Sequence, residues 1–181
     1  MKILLRAATI IDSKSPFHNQ TMDILIQDGY IKQIGVALPT NGAEEIQLPQ
    51  LQISSGWFDS SVSLGEPGFE DRETISNGLT VAAKSGFTAI ALQPNSHPII
   101  DNQGQINFVL NKAQNALTQL YPIGALTVGS EGKDMAELFD MKKAGAIAFG
   151  DYNMRLDNAN LLQIALQYVE DSDVLVTAFA H

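Results

Sequence analysis

The chain of 181 residues contains no cysteine, three histidines, and only 11 lysine and arginine residues against 20 aspartate and glutamate residues. Without cysteine there are no disulfides, thiolate zinc sites or cysteine nucleophiles, which suits a reducing compartment. A net charge of −9 leaves no basic surface for nucleic acid. No apolar run approaches the roughly 20 residues of a membrane-spanning helix, and the start of the chain is unlike a secretory signal. These absences predict a cytoplasmic protein that binds neither nucleic acid nor membranes.

The first 55 residues are predicted to form a small β-rich segment. They are rich in β-branched residues, and Asp28-Gly29 between two apolar runs is the signature of a type I′ hairpin turn. After Gly56 the pattern changes to apolar strands that alternate with amphipathic helices. We therefore predict two segments, residues 1–55 and 56–181.

Apolar residues at helical spacing predict four helices in the second segment. They cover about residues 73–84, residues 105–120, a stretch from a capping box at Asp134–Glu137 to Gly145, and a last helix that begins at an Asp157 cap. Near-continuous apolar strands between these helices indicate a parallel sheet that is buried on both faces.

With a strand before the first helix, the second segment has five predicted strands and four helices. Because a complete (β/α)8 barrel takes about 250 residues, the sequence predicts an α/β fold equal to the front part of a TIM-type barrel. A doubly wound sheet of five strands stays open as the alternative.

The most specific motif lies around the predicted first barrel strand. Asp59, Ser61 and Ser63 alternate along it, and Glu66–Glu70 follows with the sequence Glu-Pro-Gly-Phe-Glu. Because residues two apart on a strand face the same side, the three polar side chains are predicted to point together.

Four motifs in this order resemble those of the dihydroorotases in the amidohydrolase superfamily, close to the longer-chain type associated with aspartate transcarbamoylase. They are Glu66–Thr74, Gly86–Thr88, Gln93–Asn102 and Ala144–Asp151. The resemblance covers essentially the whole chain. It implies a zinc-dependent hydrolase of a cyclic amide in pyrimidine biosynthesis, with a small β side domain to which the first segment contributes.

Two site residues match the family pattern. Asn95 matches the substrate-binding asparagine after the second barrel strand, and Asp151 matches the carboxylate that bridges metals after the fourth. Asparagine is also a common cap of turns such as Pro94–Ser96, and both roles of Asn95 stay open.

The chain departs from the family at the positions that carry the chemistry. Ser61 and Ser63 stand where the family has its His-x-His metal ligands, Gly65 where it has the arginine that holds the substrate carboxylate, and Ala178 where it has a fifth-strand histidine. A serine hydroxyl is a far weaker zinc donor than an imidazole, and glycine offers an anion only its backbone amide. We therefore expect no metal cofactor and no catalytic residue here. His181, three residues beyond Ala178, is a ligand only if the chain bends back.

The sequence supports three functional hypotheses. The leading one is a catalytically degenerate dihydroorotase homologue that supports a partner, either aspartate transcarbamoylase or a second copy of the chain. The second is an active cyclic-amide hydrolase whose metals are held by Asp59, Asp151 and atypical ligands. The third is a stand-alone α/β binding module.

Overall fold

The computed structural model describes residues 1–170 and 174–179. The chain divides into two compact units, with the boundary between Ser55 and Gly56. Within the described ranges, no helix has the length and apolar character needed to cross a membrane.

The first unit is a small sheet of short strands. Its strands are β1 (Lys2–Ile11), β2 (Thr21–Gln27), β3 (Tyr30–Gly35), β4 (Glu44–Ile46) and β5 (Gln52–Ser54). Strand β1 pairs antiparallel with β2 on one side and parallel with β4 and β5 on the other. Strands β2 and β3 are joined by Asp28 and Gly29, whose φ angles of 51° and 81° are both positive. The predicted type I′ hairpin is therefore confirmed.

Arg6 anchors the loops of the first unit. Its guanidinium donates to Asp23 Oδ2 at 2.7 Å and to the carbonyl of Leu38 at 2.6 Å. It also pairs with Glu45 at 2.8 Å. The hydrogen bonds from Arg6 and from the Thr40 hydroxyl lower the pKa of Glu45 to about 2. This network fixes the chain between β3 and β4.

The second unit alternates strands and helices. Its described elements are β6 (Trp57–Val62), α1 (Ile75–Lys84), β7 (Phe87–Leu92), α2 (Gln103–Lys112), β8 (Gln119–Gly124), α3 (Leu138–Ala144), β9 (Ala148–Phe149), α4 (Ala159–Val169) and β10 (Leu175–Val176). The strands are all parallel and lie in sequential order from β6 to β10. The order never reverses, as it would in a doubly wound sheet. In the described part of the chain, this confirms the predicted front of a barrel with five strands and four helices.

The alternation along the strands gives the sheet two apolar faces. On the helix face, Ile90, Leu92 and Phe149 belong to the main core together with residues of the helices. On the opposite side, which we call the inner face, Ala91 packs with Ile123 and Ala148. A parallel sheet buried on both faces has this pattern.

Helix α2 ends at Lys112, eight residues before the predicted end at 120. The chain then turns through Asn115, whose φ is 66°, and leaves Leu117 92% exposed. Leu120 belongs to β8, where it pairs with Ile90 of β7. The helical spacing of apolar residues was misleading here because strand pairing with β7 takes precedence over local propensity.

The predicted capping box at Asp134–Glu137 is wrong. Helix α3 begins at Leu138, and its N-cap Glu137 makes no capping hydrogen bond through its side chain. The Asp134 carbonyl instead accepts from the Val128 amide at 2.9 Å. Met135 next to it forms an antiparallel bridge with Thr127. A tertiary pairing therefore overrides the local capping motif.

The cap of the last helix is also shifted by one residue. Asn158 caps α4 by accepting from the amides of Asn160 and Leu161. Asp157 forms an ion pair with Arg155 instead. Both side chains favour N-cap positions, so the sequence alone does not distinguish them.

Candidate functional site

A β-bulge in β6 separates Asp59 from the two serines. Asp59 lies opposite Ile90 and Val62 lies opposite Leu92, so three steps along β6 match two along β7. The extra residue places Asp59 on the same side as Val62, on the helix face. There it lines a cavity between the sheet and α1. The prediction that Asp59 points together with Ser61 and Ser63 is therefore wrong.

The two serines lie beside two amide side chains that follow β7. Ser61 Oγ accepts a hydrogen bond from Gln93 Nε2 at 3.2 Å, and Ser63 Oγ accepts one from Asn95 Nδ2 at 2.7 Å. We call these four residues the polar ladder. Gln93 was missed from the sequence, although Gln93 and Asn95 have the same two-residue spacing after their strand as Ser61 and Ser63 have in theirs.

The amide oxygens of the polar ladder have no donors. Gln93 Oε1 and Asn95 Oδ1 are both buried without a hydrogen-bond partner among the described residues. Each such group costs about 1–3 kcal/mol of stability. Asn95 does not cap the Pro94–Ser96 turn, which is closed by the Ser96 amide donating to the Pro94 carbonyl at 2.9 Å. The ladder joins β6 to β7 with neutral groups.

Ser63→Ala is expected to lower the free energy of unfolding by about 1–2 kcal/mol, because Asn95 Nδ2 loses its acceptor. Adding Asn95→Leu removes both polar partners, and we expect the double variant to recover most of that loss. Urea unfolding of the single and double variants measures the coupling, with exposed Ser60→Ala as the matched control. Purely additive losses in the double variant would contradict the assigned hydrogen bond.

The backbone leaves no room for a side chain at Gly65. Its amide donates to the Glu73 carbonyl at 3.0 Å, and its carbonyl accepts from the Phe69 amide at 2.9 Å. A Cβ atom at this position would lie 1.9 Å from the Phe69 carbonyl oxygen and 2.9 Å from that of Glu73. An arginine does not fit here unless the backbone moves. The loop after β6 is therefore closed at the position where the family resemblance places the anion-binding residue.

Glu66 fixes the same loop to both neighbouring helices. Its buried carboxylate accepts from the Ile75 amide at the start of α1 at 2.9 Å. Its other oxygen pairs with Lys112 Nζ at the end of α2 at 2.7 Å. Hydrogen bonding to Glu66 raises the pKa of Lys112. This charged pair is structural, because both partners are already satisfied by each other and by α1.

Asp151 is buried after β9 and is bound by three protein donors. Its Oδ1 accepts from the amides of Leu126 and Thr127, both at 3.0 Å. Its Oδ2 accepts from the Thr127 hydroxyl at 2.7 Å. The predicted position at the carboxyl end of the fourth barrel strand agrees with the structure, and there the carboxylate holds the loop after β8. The sequence gave no sign of Thr127 as its partner.

The remaining candidates are dispersed. Ala178 follows β10, is exposed, and has no ligand atom in its side chain. His97 is exposed, and its backbone amide donates to the Pro67 carbonyl at 2.9 Å. His181 lies outside the described residues.

These side chains do not fit a zinc centre. The serine oxygens accept from amides, Asp151 is engaged by three donors, and Asp59 is on the helix face. Across residues 1–170 and 174–179, no group of three or more histidine, cysteine, aspartate or glutamate side chains is close enough to hold a metal ion. What the arrangement provides is a set of neutral hydrogen bonds and a closed loop.

Comparison with known proteins gives consistent relatives. A family model described as dihydro-orotase-like matches residues 52–181. The chain is 42% identical over 168 residues to a dihydroorotase of Pelotomaculum thermopropionicum, which covers 93% of this chain and 39% of the relative. It is 35% identical over 177 residues to a dihydroorotase of Ruminiclostridium cellulolyticum, which covers 97% of this chain and 41% of that protein. The chain thus spans about two fifths of the length of these relatives.

Solved structures share the fold at low sequence identity. An L-hydantoinase (dihydropyrimidinase) from Arthrobacter aurescens superposes with a TM-score of 0.71 at 17% identity, over 96% of this chain and 39% of that one. The crystal structure of a dihydroorotase gives a TM-score of 0.68 at 13% identity, over 99% and 51% of the two chains. The motifs, the parallel sheet and the sequence relatives agree, and the chain therefore belongs to the dihydroorotase-like family.

Proposed function

We propose that this chain is a catalytically degenerate dihydroorotase-like protein with a structural role beside a partner, in pyrimidine biosynthesis. The observation that carries the proposal is the polar ladder, in which the Ser61 and Ser63 hydroxyls are hydrogen-bonded to amide side chains. A neutral hydroxyl competes poorly for zinc, and here each one would also have to give up an amide partner.

Two further features support the loss of catalysis. The loop backbone at Gly65 excludes the guanidinium that would bind a substrate carboxylate. The Asp151 carboxylate already accepts three hydrogen bonds, which a bridging metal would have to displace. Each of the three positions therefore performs a structural task in place of a catalytic one.

The sheet edge supports a role beside a partner. Strand β6 is the last strand on one side of the sheet, and its Trp57 and Phe58 side chains are 62% and 53% exposed. A parallel edge strand offers unpaired amides and carbonyls to another chain. We propose aspartate transcarbamoylase or a second copy of this chain as the partner.

The proposal is tested on the full gene product, purified without chelator. We expect substoichiometric zinc by mass spectrometry, no turnover of dihydroorotate, and a mass in solution above that of the monomer, either alone or with aspartate transcarbamoylase. The Pelotomaculum thermopropionicum dihydroorotase serves as the control that the assays detect metal and turnover. Stoichiometric zinc with turnover would contradict the loss of catalysis, and a compact monomer in both samples would contradict the supporting role.

A further inference from the structure

The chain contains the dipeptide Asn-Gly twice, in contrasting surroundings. Asn41-Gly42 lies between β3 and β4, and Asn77-Gly78 lies inside α1. In such a dipeptide the backbone nitrogen of glycine can attack the side-chain amide carbon of asparagine, because glycine has no side chain to obstruct the approach. The reaction needs a glycine amide that is free of hydrogen bonds and a peptide unit that can rotate.

Asn41-Gly42 meets these requirements. Both residues are exposed, and nothing lies within 4 Å of the position that a Cβ of Gly42 would occupy. The turn is closed around them by the Ala43 amide, which donates to the Thr40 carbonyl at 2.8 Å. Among the described residues, the Gly42 amide and the Asn41 side chain have no hydrogen-bond partner, while the Asn41 carbonyl accepts from Lys2 Nζ at 2.8 Å.

Asn77-Gly78 is held in a helix. The Gly78 amide donates to the Thr74 carbonyl at 2.9 Å. The Asn77 side chain donates to Glu73 Oε1 at 3.0 Å. The first turn of α1 has to open before this glycine nitrogen can react, and the free energy of that opening slows the reaction.

We propose that Asn41 is a site of spontaneous deamidation and isoaspartate formation, and that Asn77 is protected. The Gly42 nitrogen forms a bond to Cγ of Asn41, and the side-chain nitrogen leaves as ammonia with the proton that Gly42 gives up. Water then opens the cyclic imide at either carbonyl and yields aspartate or isoaspartate. One water molecule enters and one ammonia leaves, with no oxidation or reduction.

Both products change the first unit. Each adds a negative charge beside Lys2, whose ammonium group already contacts this turn. Isoaspartate also routes the main chain through Cβ and so lengthens the segment between β3 and β4, next to Thr40 of the Arg6 network. Because Asn41 lies in the first unit, the proposal is independent of the loss of catalysis.

The experiment incubates the full chain at mildly alkaline pH and follows both asparagines by peptide mapping with fragmentation that distinguishes isoaspartate from aspartate. In the folded protein we expect Asn41 to convert at least about tenfold faster than Asn77, with isoaspartate among the products. In urea the two rates should become similar, because the helix no longer protects Asn77. Asn41→Gln should abolish the reaction at this position, since its longer side chain disfavours the five-membered ring.

Equal rates at the two positions in the folded protein would overturn the proposal. A difference that persists undiminished in urea would assign the selectivity to neighbouring sequence and overturn the structural account. Aspartate without isoaspartate would exclude the cyclic imide.

Discussion

Gly65→Ala is expected to lower the free energy of unfolding by about 3 kcal/mol, the largest loss for any single methyl group added to this chain. The added Cβ would lie 1.9 Å from the Phe69 carbonyl oxygen, which is backbone and cannot rotate away like a side chain. Relief of the clash would break the hydrogen bonds of Gly65 with Glu73 and Phe69. Urea unfolding of the purified variant measures the loss.

Gly104→Ala provides the matched control. Gly104 is exposed in α2, and an added Cβ would come only within 3.1 Å of the Asn102 side chain. Alanine favours a helix over glycine by about 1 kcal/mol, so this variant should be neutral or stabilised. If Gly65→Ala is as stable as Gly104→Ala, the loop after β6 is open and the account of the missing anion site is wrong.

Asp151→Ala is expected to cost about 3–5 kcal/mol, because it leaves the amides of Leu126 and Thr127 and the Thr127 hydroxyl without an acceptor in a buried site. Asp151→Asn retains an oxygen for the two amides and should cost about 1–2 kcal/mol. Thermal or urea unfolding of the two variants gives the comparison.

The same pair separates a structural carboxylate from a metal ligand. If Asp151 held a metal, both variants would lose zinc together, and Asp151→Asn would lose activity while remaining folded. We expect instead that Asp151→Asn retains the stability and the partner binding of the parent chain. A zinc content that falls in step with the Asp151 substitutions would favour the active hydrolase with atypical ligands.

The fold was predictable from the sequence where the pattern is local and repeated. Asp28-Gly29 specifies a turn by its own backbone preferences, and the alternation of apolar strands and helices specifies a parallel sheet. The errors occurred where a partner distant in sequence competes with a local signal. Leu120 pairs with Ile90, and Met135 pairs with Thr127, although both lie in segments whose spacing or caps favour a helix.

The site was predictable as a set of positions but not as a set of contacts. The motif identified Ser61 and Ser63 as replacements for metal ligands, and the strand position of Asp151 was right. The bulge that turns Asp59 to the helix face comes from register with β7, which no spacing within β6 reveals. The closed backbone at Gly65 depends on carbonyls of Phe69 and Glu73, which are not visible in residue types.

The most direct test of the account is a crystal of the full gene product soaked in zinc and measured on both sides of the zinc absorption edge. We expect no anomalous peak at bonding distance, about 2.0–2.2 Å, from the hydroxyl oxygens of Ser61 and Ser63. A strong peak at that distance from either oxygen would show that the hydroxyls hold the metal and would contradict the account.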